Sequence, residues 1–468
     1  MVISELREDL KDNYLNYIDK PSFLVSQALK LIIPPLIDYQ GNCYPYSKIL
    51  NQLPSLDNKT MYVTNKQTVI VLTNDNFLVK TIKPLDIIPT VQILNMENIS
   101  DRWVFRNLVE SIDKIEATKN GVNIYYKTTY SLPYFPCPVI FDNPDIYKEQ
   151  VLNFTYKDAK NFSIFPSYSD YTIKQSQINH FLIQNKKTNQ QILFKTYTNV
   201  DKLKMELKKS DIVKIPSNLK NYFENSLPDD YEIITLPHKE MYLIFFNPSL
   251  NKELRLFFFH KIRKELSKYE IDTYILNNTY ILPYHFASKN FTLDKQKFSN
   301  TLSLKKLKIL LTYRDNKSKL FTNLLQEIIK KEITNDVLLI NIEEKTPKKE
   351  IFGTLVETPE LPLKQAINPY EFDVIITSIT FLPYMNYYDV YSKDGKYNVY
   401  TVSNKKIEDL VNKVMSGFSV NQKDYLMELQ EELWKEFLIS PLAIDTQTFV
   451  VKKEALIKIN PINIELDN

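Results

Sequence analysis

The stretch that decides the fold runs from residue 306 to residue 342 and reads KLKILLTYRDNKSKLFTNLLQEIIKKEITNDVLLINI. Apolar residues alternate along 307–313, which predicts a strand, and then recur on one face of a helix along 320–329. A second apolar run at 337–342 and a third, FDVIIT at 372–377, predict two further strands. Strands separated by helical patterns indicate an α/β chain built on a parallel or mixed sheet.

The pattern continues on both sides of that stretch. Upstream, MYLIFF at 241–246 predicts a buried strand, and RLFFFHKIRKEL at 255–266 predicts an apolar helix. Downstream, apolar residues recur at helical spacing along 407–415 and again along 426–437. The segment DTQTFVV at 445–451 then predicts a last strand.

The first half of the chain is predicted to be mostly β. The segment TVIVLT at 68–73 has the composition of a strand. The dipeptide Asn120-Gly121 lies between two segments of alternating apolar residues, which is a strong signal for a β-hairpin. Residues 171–183 and 191–197 predict further strands, so a β-rich first half precedes an α/β second half.

The composition is that of a globular protein without a strong electric field. The 468 residues are 44% hydrophobic and 25% charged, and the formal net charge of +3 favours neither nucleic acid nor a membrane surface as partner. With only five glycines and neither a GxGxxG nor a GxxxxGK[ST] motif, the sequence argues against phosphate-cradling loops. The four histidines lack metal-site spacing and no GxSxG is present, so we expect no enzyme, no metal and no cofactor.

The cysteines and the N-terminus bear on the compartment. If the chain is exported to an oxidising compartment, Cys43 and Cys137 can form a single disulfide. No apolar run reaches the ~20 residues that span a bilayer, and the polar start MVISELREDLKDNYL has no apolar signal region. The chain is therefore either an exported protein given without its signal or a protein of the cell interior, and the sequence leaves both open.

Several segments together carry a resemblance to a known family. They are the strand-then-helix at 305–333, FDVIITSITF at 372–381, YNVYTVSNKKIEDLVNKVM at 397–415, the last helix and proline run at 423–444, and MYLIFFN at 241–247. In order and spacing, these elements resemble family 5 of the extracellular solute-binding proteins. That family includes oligopeptide, dipeptide and nickel carriers.

The resemblance implies a fold class and a domain plan. The expected fold is α/β and two-lobed, like the periplasmic binding proteins (type II, cluster C), with a hinge, a discontinuous first lobe and an extra subdomain. The first lobe would comprise residues 1–50, 155–245 and 440–468, with the subdomain at 51–154. The second lobe would comprise residues 246–439, and a ligand bound between the lobes would favour a closed state.

The loop FLPYMNYYDVY at 381–391 is the first candidate for ligand contact. Tyrosine and asparagine combine flat or compact surface with hydrogen-bonding tips, which suits a solute in a cleft, although the same aromatics could instead pack the interior. The predicted ligand-binding residues are Phe381, Tyr384, Asn386, Tyr387, Tyr388, Asp389, Asn398, Asn247 and Tyr168.

One departure from the family affects the predicted ligand. In peptide-binding members an aspartate holds the α-ammonium of the peptide, and the matching place in this sequence is Leu382, while the place of the family's tryptophan is Ile379. A buried ammonium without a counter-charge costs several kcal/mol, so the loss bears directly on peptide binding. Asp389, in the same loop, is the acidic residue that could take its place.

The resemblance implies the solute-binding component of an ABC importer. It would capture a peptide-like solute, act as a monomer with ABC permease subunits, and work in the periplasm or anchored outside the membrane, without nucleic acid. The alternative is a divergent solute-binding fold that serves as a ligand sensor or protein-interaction module without transport. The absent signal segment and the lost aspartate favour that alternative.

Overall fold

A computed structural model describes most of the chain. The described residues are 1–6, 27, 31, 36–64, 67–78, 84–86, 112–126, 170–177, 180–292, 304–314, 316–342, 348–351, 354–357, 367–381, 387–416, 418–455, 457–461 and 464–466.

Twenty-one strands are assigned among these residues. In chain order they are β1 (Val2–Leu6), β2 (Asp38–Tyr39), β3 (Pro45–Tyr46), β4 (Met61–Val63), β5 (Thr68–Thr73), β6 (Ile112–Thr118), β7 (Gly121–Tyr126), β8 (Tyr171–Gln177), β9 (His180–Asn185), β10 (Gln191–Tyr197), β11 (Ile212–Ile215), β12 (Tyr231–Phe246), β13 (Tyr274–Leu276), β14 (Ile309–Tyr313), β15 (Val337–Asn341), β16 (Lys348–Ile351), β17 (Thr354–Glu357), β18 (Val374–Thr380), β19 (Ile439–Lys452), β20 (Ile457–Ile459) and β21 (Ile464–Leu466).

Seven α-helices have described bounds. They are α1 (Val200–Glu206), α2 (Lys220–Glu224), α3 (Lys252–Leu266), α4 (Asn316–Glu332), α5 (Tyr387–Tyr391), α6 (Lys405–Met415) and α7 (Gln422–Glu436). The mixed α/β composition predicted from the sequence is confirmed.

The chain divides into two compact units. The first comprises Met1–Leu236 and Gln447–Asn468, and the second comprises Pro237–Thr446. The chain leaves the first unit within β12 and returns to it within β19. The predicted lobe boundaries, with residues 246–439 as the second lobe, stay a prediction.

The first unit contains a mixed sheet in the order β11-β1-β10-β9-β8. Strand β1 runs parallel to both β10 and β11, and the residues of β19 from Thr448 to Val451 pair antiparallel with β11. Apolar side chains alternate along β9 and β10, so Phe181 and Phe194 stack with ring centroids 4.8 Å apart in the core.

A second, four-stranded sheet of the first unit has the order β4-β5-β7-β6. The predicted β6–β7 hairpin is confirmed, with Lys119 and Asn120 as its two-residue turn and Gly121 as the first residue of β7. A side chain at Gly121 would lie 1.9 Å from the carbonyl oxygen of Leu72, so close backbone approach requires glycine there.

In the second unit the strand order is β15-β14-β18-β12. Strand β14 runs parallel to β15 and β18, and β12 runs antiparallel to β18. The fully buried run Met241–Phe246 lies in β12, where helices α3 and α4 supply the apolar faces that cover one side of the sheet. The strand, helix and strand predicted at 306–342 are therefore confirmed as β14, α4 and β15.

Candidate functional site

The second unit gathers polar side chains at one edge of its sheet. The parallel strands β14 and β18 both end there, at Tyr313 and Thr380, and Thr380 pairs with Glu240 near the point where β12 enters the unit. In open α/β sheets, ligands bind outside the carboxyl ends of the parallel strands. This edge is therefore the candidate functional site of the second unit.

Asp445 is the centre of the polar edge. Its carboxylate is buried and accepts four hydrogen bonds: Oδ1 from the backbone N–H groups of Lys239 (2.8 Å) and Glu240 (2.7 Å), and Oδ2 from His238 Nδ1 (3.0 Å) and Lys317 Nζ (3.1 Å). We call these five residues the Asp445 cluster. Because an ionised carboxylate only accepts, His238 donates to it from a protonated Nδ1.

The charge state of Asp445 follows from these donors. Burial alone would raise the pKa of its carboxyl group. The hydrogen bond and charge of His238, the charge of Lys317 and the N–H of Glu240 outweigh burial and hold that pKa well below its usual range. Asp445 is therefore a carboxylate at neutral pH.

Neighbouring groups hold the partners of Asp445 in place. Lys317, in the first turn of α4, also donates to the carbonyl oxygen of Thr446 (3.2 Å) and lies 5.4 Å from the ring centroid of Tyr274. Tyr284 donates its hydroxyl to the carbonyl oxygen of His238 (2.6 Å). The cluster is thus a fixed scaffold rather than a set of loose surface charges.

Arg314 lies at the carboxyl end of β14. Its Nη2 donates to the carbonyl oxygen of Ser378 in β18 (3.2 Å), and its backbone N–H donates to Ser318 Oγ (3.0 Å). The hydroxyls of Thr312 and Thr377 bond across the same pair of strands at 2.7 Å. These contacts tie the ends of β14 and β18 together and place a guanidinium beside the edge.

A cavity of about 230 Å³ lies elsewhere in the second unit, between the start of α6 and the end of α7. Its Asn404 caps α6 by accepting from the Ile407 N–H (2.8 Å) and donates to Glu432 Oε1 (3.4 Å). Since its amide is already engaged in the fold, we place the candidate site at the sheet edge and not in this cavity.

Comparisons with solved structures identify the fold. At TM-score 0.67 and 10% identity the chain matches HbpA2 from Haemophilus parasuis, covering 100% of both chains. It also matches an unliganded open form of MppA, a periplasmic murein tripeptide binding protein (TM-score 0.65, 13% identity, 99% and 94% covered), and a nickel ABC transporter protein from Bacillus halodurans (0.63, 11%, 99% and 98%).

The chain has the fold of a solute-binding protein. The resemblance inferred from the sequence, and the predicted fold class, are confirmed at the level of the fold. No protein-family model and no curated protein sequence matches the chain.

Two of the predicted ligand-binding residues in the candidate loop, Phe381 and Tyr387, are buried. Phe381 is fully buried, and its N–H donates to the carbonyl oxygen of Lys239 (2.7 Å), which brings this first residue of the loop to the Asp445 cluster. Tyr387 is buried in α5, with its ring 6.4 Å from that of Tyr391. Tyr384, Asn386 and Tyr168 lie outside the described residues, as does Leu382.

Within α5, two predicted residues are more exposed than Tyr387. Tyr388 and Asp389 are half-buried, and Asp389 forms an ion pair with Lys396 at 3.4 Å. Asp389 therefore has a cation beside it already, and its role as a substitute for the family's aspartate stays a prediction.

The two predicted asparagines are engaged with the backbone. Asn398 is fully buried; its Nδ2 donates to the carbonyls of Ser392 (3.0 Å) and Val402 (2.8 Å), and its Oδ1 accepts from the Val402 N–H (3.3 Å). Asn247 Nδ2 donates to the Phe372 carbonyl (3.1 Å). This geometry favours a structural role for both, and their predicted ligand contacts are untested.

Three further points concern the remaining sequence predictions. Cys43 is buried, and Cys137, its possible disulfide partner, lies outside the described residues. Within the described part of the chain, no helix is long and apolar enough to cross a membrane. The same residues contain no group of three or more His, Cys, Asp or Glu side chains placed to hold a metal ion.

Proposed function

We propose that the chain is the solute-binding component of an ABC importer and captures a peptide-like solute. The observation that carries the proposal is the full-length likeness to solute-binding structures, one of them named for a murein tripeptide and another for nickel transport. Such proteins bind and release a solute, and the polar edge described above supplies hydrogen-bonding and charged groups rather than a catalytic set.

The polar edge supports a solute with several hydrogen-bonding groups. Peptides are bound largely through their backbones, which lets one site accept many sequences. The Asp445 carboxylate already accepts four hydrogen bonds from donors of its own chain, so it cannot also bind a peptide ammonium group. Recognition of the amino end must therefore use a group outside the Asp445 cluster.

The proposed setting follows from the same likeness. The protein would act as a monomer that delivers its solute to ABC permease subunits, in the periplasm or anchored outside the membrane. A ligand sensor with the same fold would bind a solute without a permease, so binding alone does not separate the two. Uptake of the bound solute by cells that carry or lack the chain would do so.

A thermal-shift screen tests the binding step. The purified full chain is melted with pools of di- to octapeptides, with oligosaccharides and with nickel(II) plus histidine. A ligand that binds only the folded state at about 100 times its Kd adds about 2.7 kcal/mol of stability, which raises the melting temperature visibly. Stabilisation by peptides supports the proposal, whereas stabilisation by nickel alone or by no pool contradicts it.

A further inference from the structure

The ammonium group of Lys239 is a charge at the polar edge for which the described residues provide no hydrogen-bond or ion-pair partner. Its backbone is fixed on both sides, because the N–H donates to Asp445 Oδ1 (2.8 Å) and the carbonyl accepts from the Phe381 N–H (2.7 Å). Among the described residues, by contrast, nothing forms a hydrogen bond or ion pair with Lys239 Nζ. Strand β12 thus holds Lys239 beside Phe381, the first residue of the candidate loop, without a partner for its ammonium group among the described residues.

The neighbouring acids do not neutralise this lysine directly. All four acceptor positions of the Asp445 carboxylate are taken, two by backbone N–H groups and two by His238 and Lys317. Glu240 follows Lys239 in β12, and successive side chains of a strand point to opposite faces. Lys317 and Arg314 add further positive charge at the same edge.

The surroundings make an unpaired ammonium costly. The Lys239 side chain is half-buried, and burial lowers its pKa, although the charges of Asp445 and Glu240 offset part of that effect. A partly desolvated cation without a direct counter-ion is stabilised when an anion reaches it. The described part of the chain therefore contains a pre-positioned cation that is available to an anionic group of a solute.

We propose that Lys239 binds a carboxylate of the solute. This inference rests on the proposed function and adds the chemical class of the group that the site selects. One ammonium matches one singly charged anion, and a peptide carries such a group at its C-terminus or on an acidic side chain. Lys239 is thus a specificity-determining residue, with its position set by Asp445 and Phe381.

The experiment uses peptides that stabilise the wild-type chain, each prepared as the free acid, as the C-terminal amide and with Glu and Asp replaced by Gln and Asn. Affinities are measured by calorimetry for wild type, Lys239→Met and, as a control, Lys423→Met, which removes an exposed lysine of α7. We expect Lys239→Met to weaken binding of the carboxylate form about tenfold or more, the scale of one charge-assisted hydrogen bond. The neutral form should bind wild type and variant alike.

The outcomes separate the inference from the proposed function. If no peptide binds the wild-type chain, the proposed function fails and the inference fails with it. If peptides bind but Lys239→Met weakens the acid and neutral forms equally, or neither, the function stands and the inference is overturned. Loss confined to the C-terminal acid assigns Lys239 to the α-carboxylate, and loss confined to acidic side chains assigns it to those.

Discussion

Asp445 should be the polar side chain on which the stability of the second unit depends most. In Asp445→Asn the amide oxygen can still accept from the two backbone N–H groups, but the anion between His238 and Lys317 is lost. Breaking a fully buried ion pair costs about 3–5 kcal/mol. Because the partner side chains are 24% and 33% exposed, water recovers part of that cost, so we expect a loss of about 2–3 kcal/mol.

Asp445→Ala should cost more than Asp445→Asn. It also leaves the N–H groups of Lys239 and Glu240 without their acceptor, at about 1–3 kcal/mol for each buried group. We expect at least about 4 kcal/mol for this variant. The difference between the two substitutions separates the contribution of the charge from that of the hydrogen bonds.

The assay is urea unfolding followed by tryptophan fluorescence in a Trp103→Phe background, so that Trp434 reports on the second unit.

Since folding lowers the pKa of Asp445, the stability that its carboxylate contributes is complete above the unfolded pKa of about 3.9 and is lost as the pH falls below it. The gap between wild type and Asp445→Asn should therefore narrow below about pH 4. Asp394→Asn, at an exposed position of the same unit, should stay within about 0.5 kcal/mol of wild type. Equal effects of Asp445→Asn and Asp394→Asn at pH 7 would refute the reasoning.

Three further variants test other parts of the second unit. Asn398→Ala should lower the unfolding free energy of the second unit by about 2–3 kcal/mol in the absence of ligand, because three backbone groups lose their partner. An unchanged urea midpoint would contradict this structural role. Asn404→Ala removes the N-cap of α6 and should cost about 1 kcal/mol by the same assay, with Asn404→Ser close to wild type. Gly395→Ala would place a methyl group 2.3 Å from the Tyr388 carbonyl oxygen, so we expect α5 to loosen and its amide hydrogens to exchange faster than in wild type. Slower exchange than in wild type would contradict this expectation.

The strands and helices could be predicted wherever one periodicity dominated the sequence. The alternation at 307–313 and the helical spacing at 320–329 gave β14 and α4, and Asn120-Gly121 gave the hairpin. Strand β12 was predicted only from Met241, because the polar residues before it and Pro237 interrupt the apolar pattern. The N-terminal part of β12 is fixed by contacts such as the hydrogen bonds from Lys239 and Glu240 to Asp445, which a sequence periodicity cannot reveal.

The Asp445 cluster could not be found in the sequence in the same way. His238, Lys317 and Asp445 lie far apart along the chain, and only the pairing of strands brings them together. Asp445 lies in the segment that the sequence predicts as the last strand, and the spacing of the four histidines singles out none of them. The available signal is a carboxylate that directly follows the apolar residues Leu442–Ile444 in a predicted strand, since a buried charge needs a partner.

In the loop at 381–391 the sequence suggests a binding site more readily than the structure does. Its tyrosines and asparagines suggested ligand contact, yet the described part contains both buried and half-buried side chains, Phe381 and Tyr387 among the former. Aromatic composition alone does not separate a core position from a binding position. The contact of Phe381 with Lys239 is the feature that brings this loop to the polar edge.

The central claim is that the chain binds a peptide-like solute. Equilibrium dialysis of the full chain against a defined mixture of tri- to octapeptides, with mass spectrometry of both chambers, tests it most directly. The account predicts that some peptides accumulate on the protein side, up to about one per chain, with carboxylate-bearing forms retained above their amides. Equal concentrations of every peptide in the two chambers, at protein concentrations well above micromolar, would contradict it.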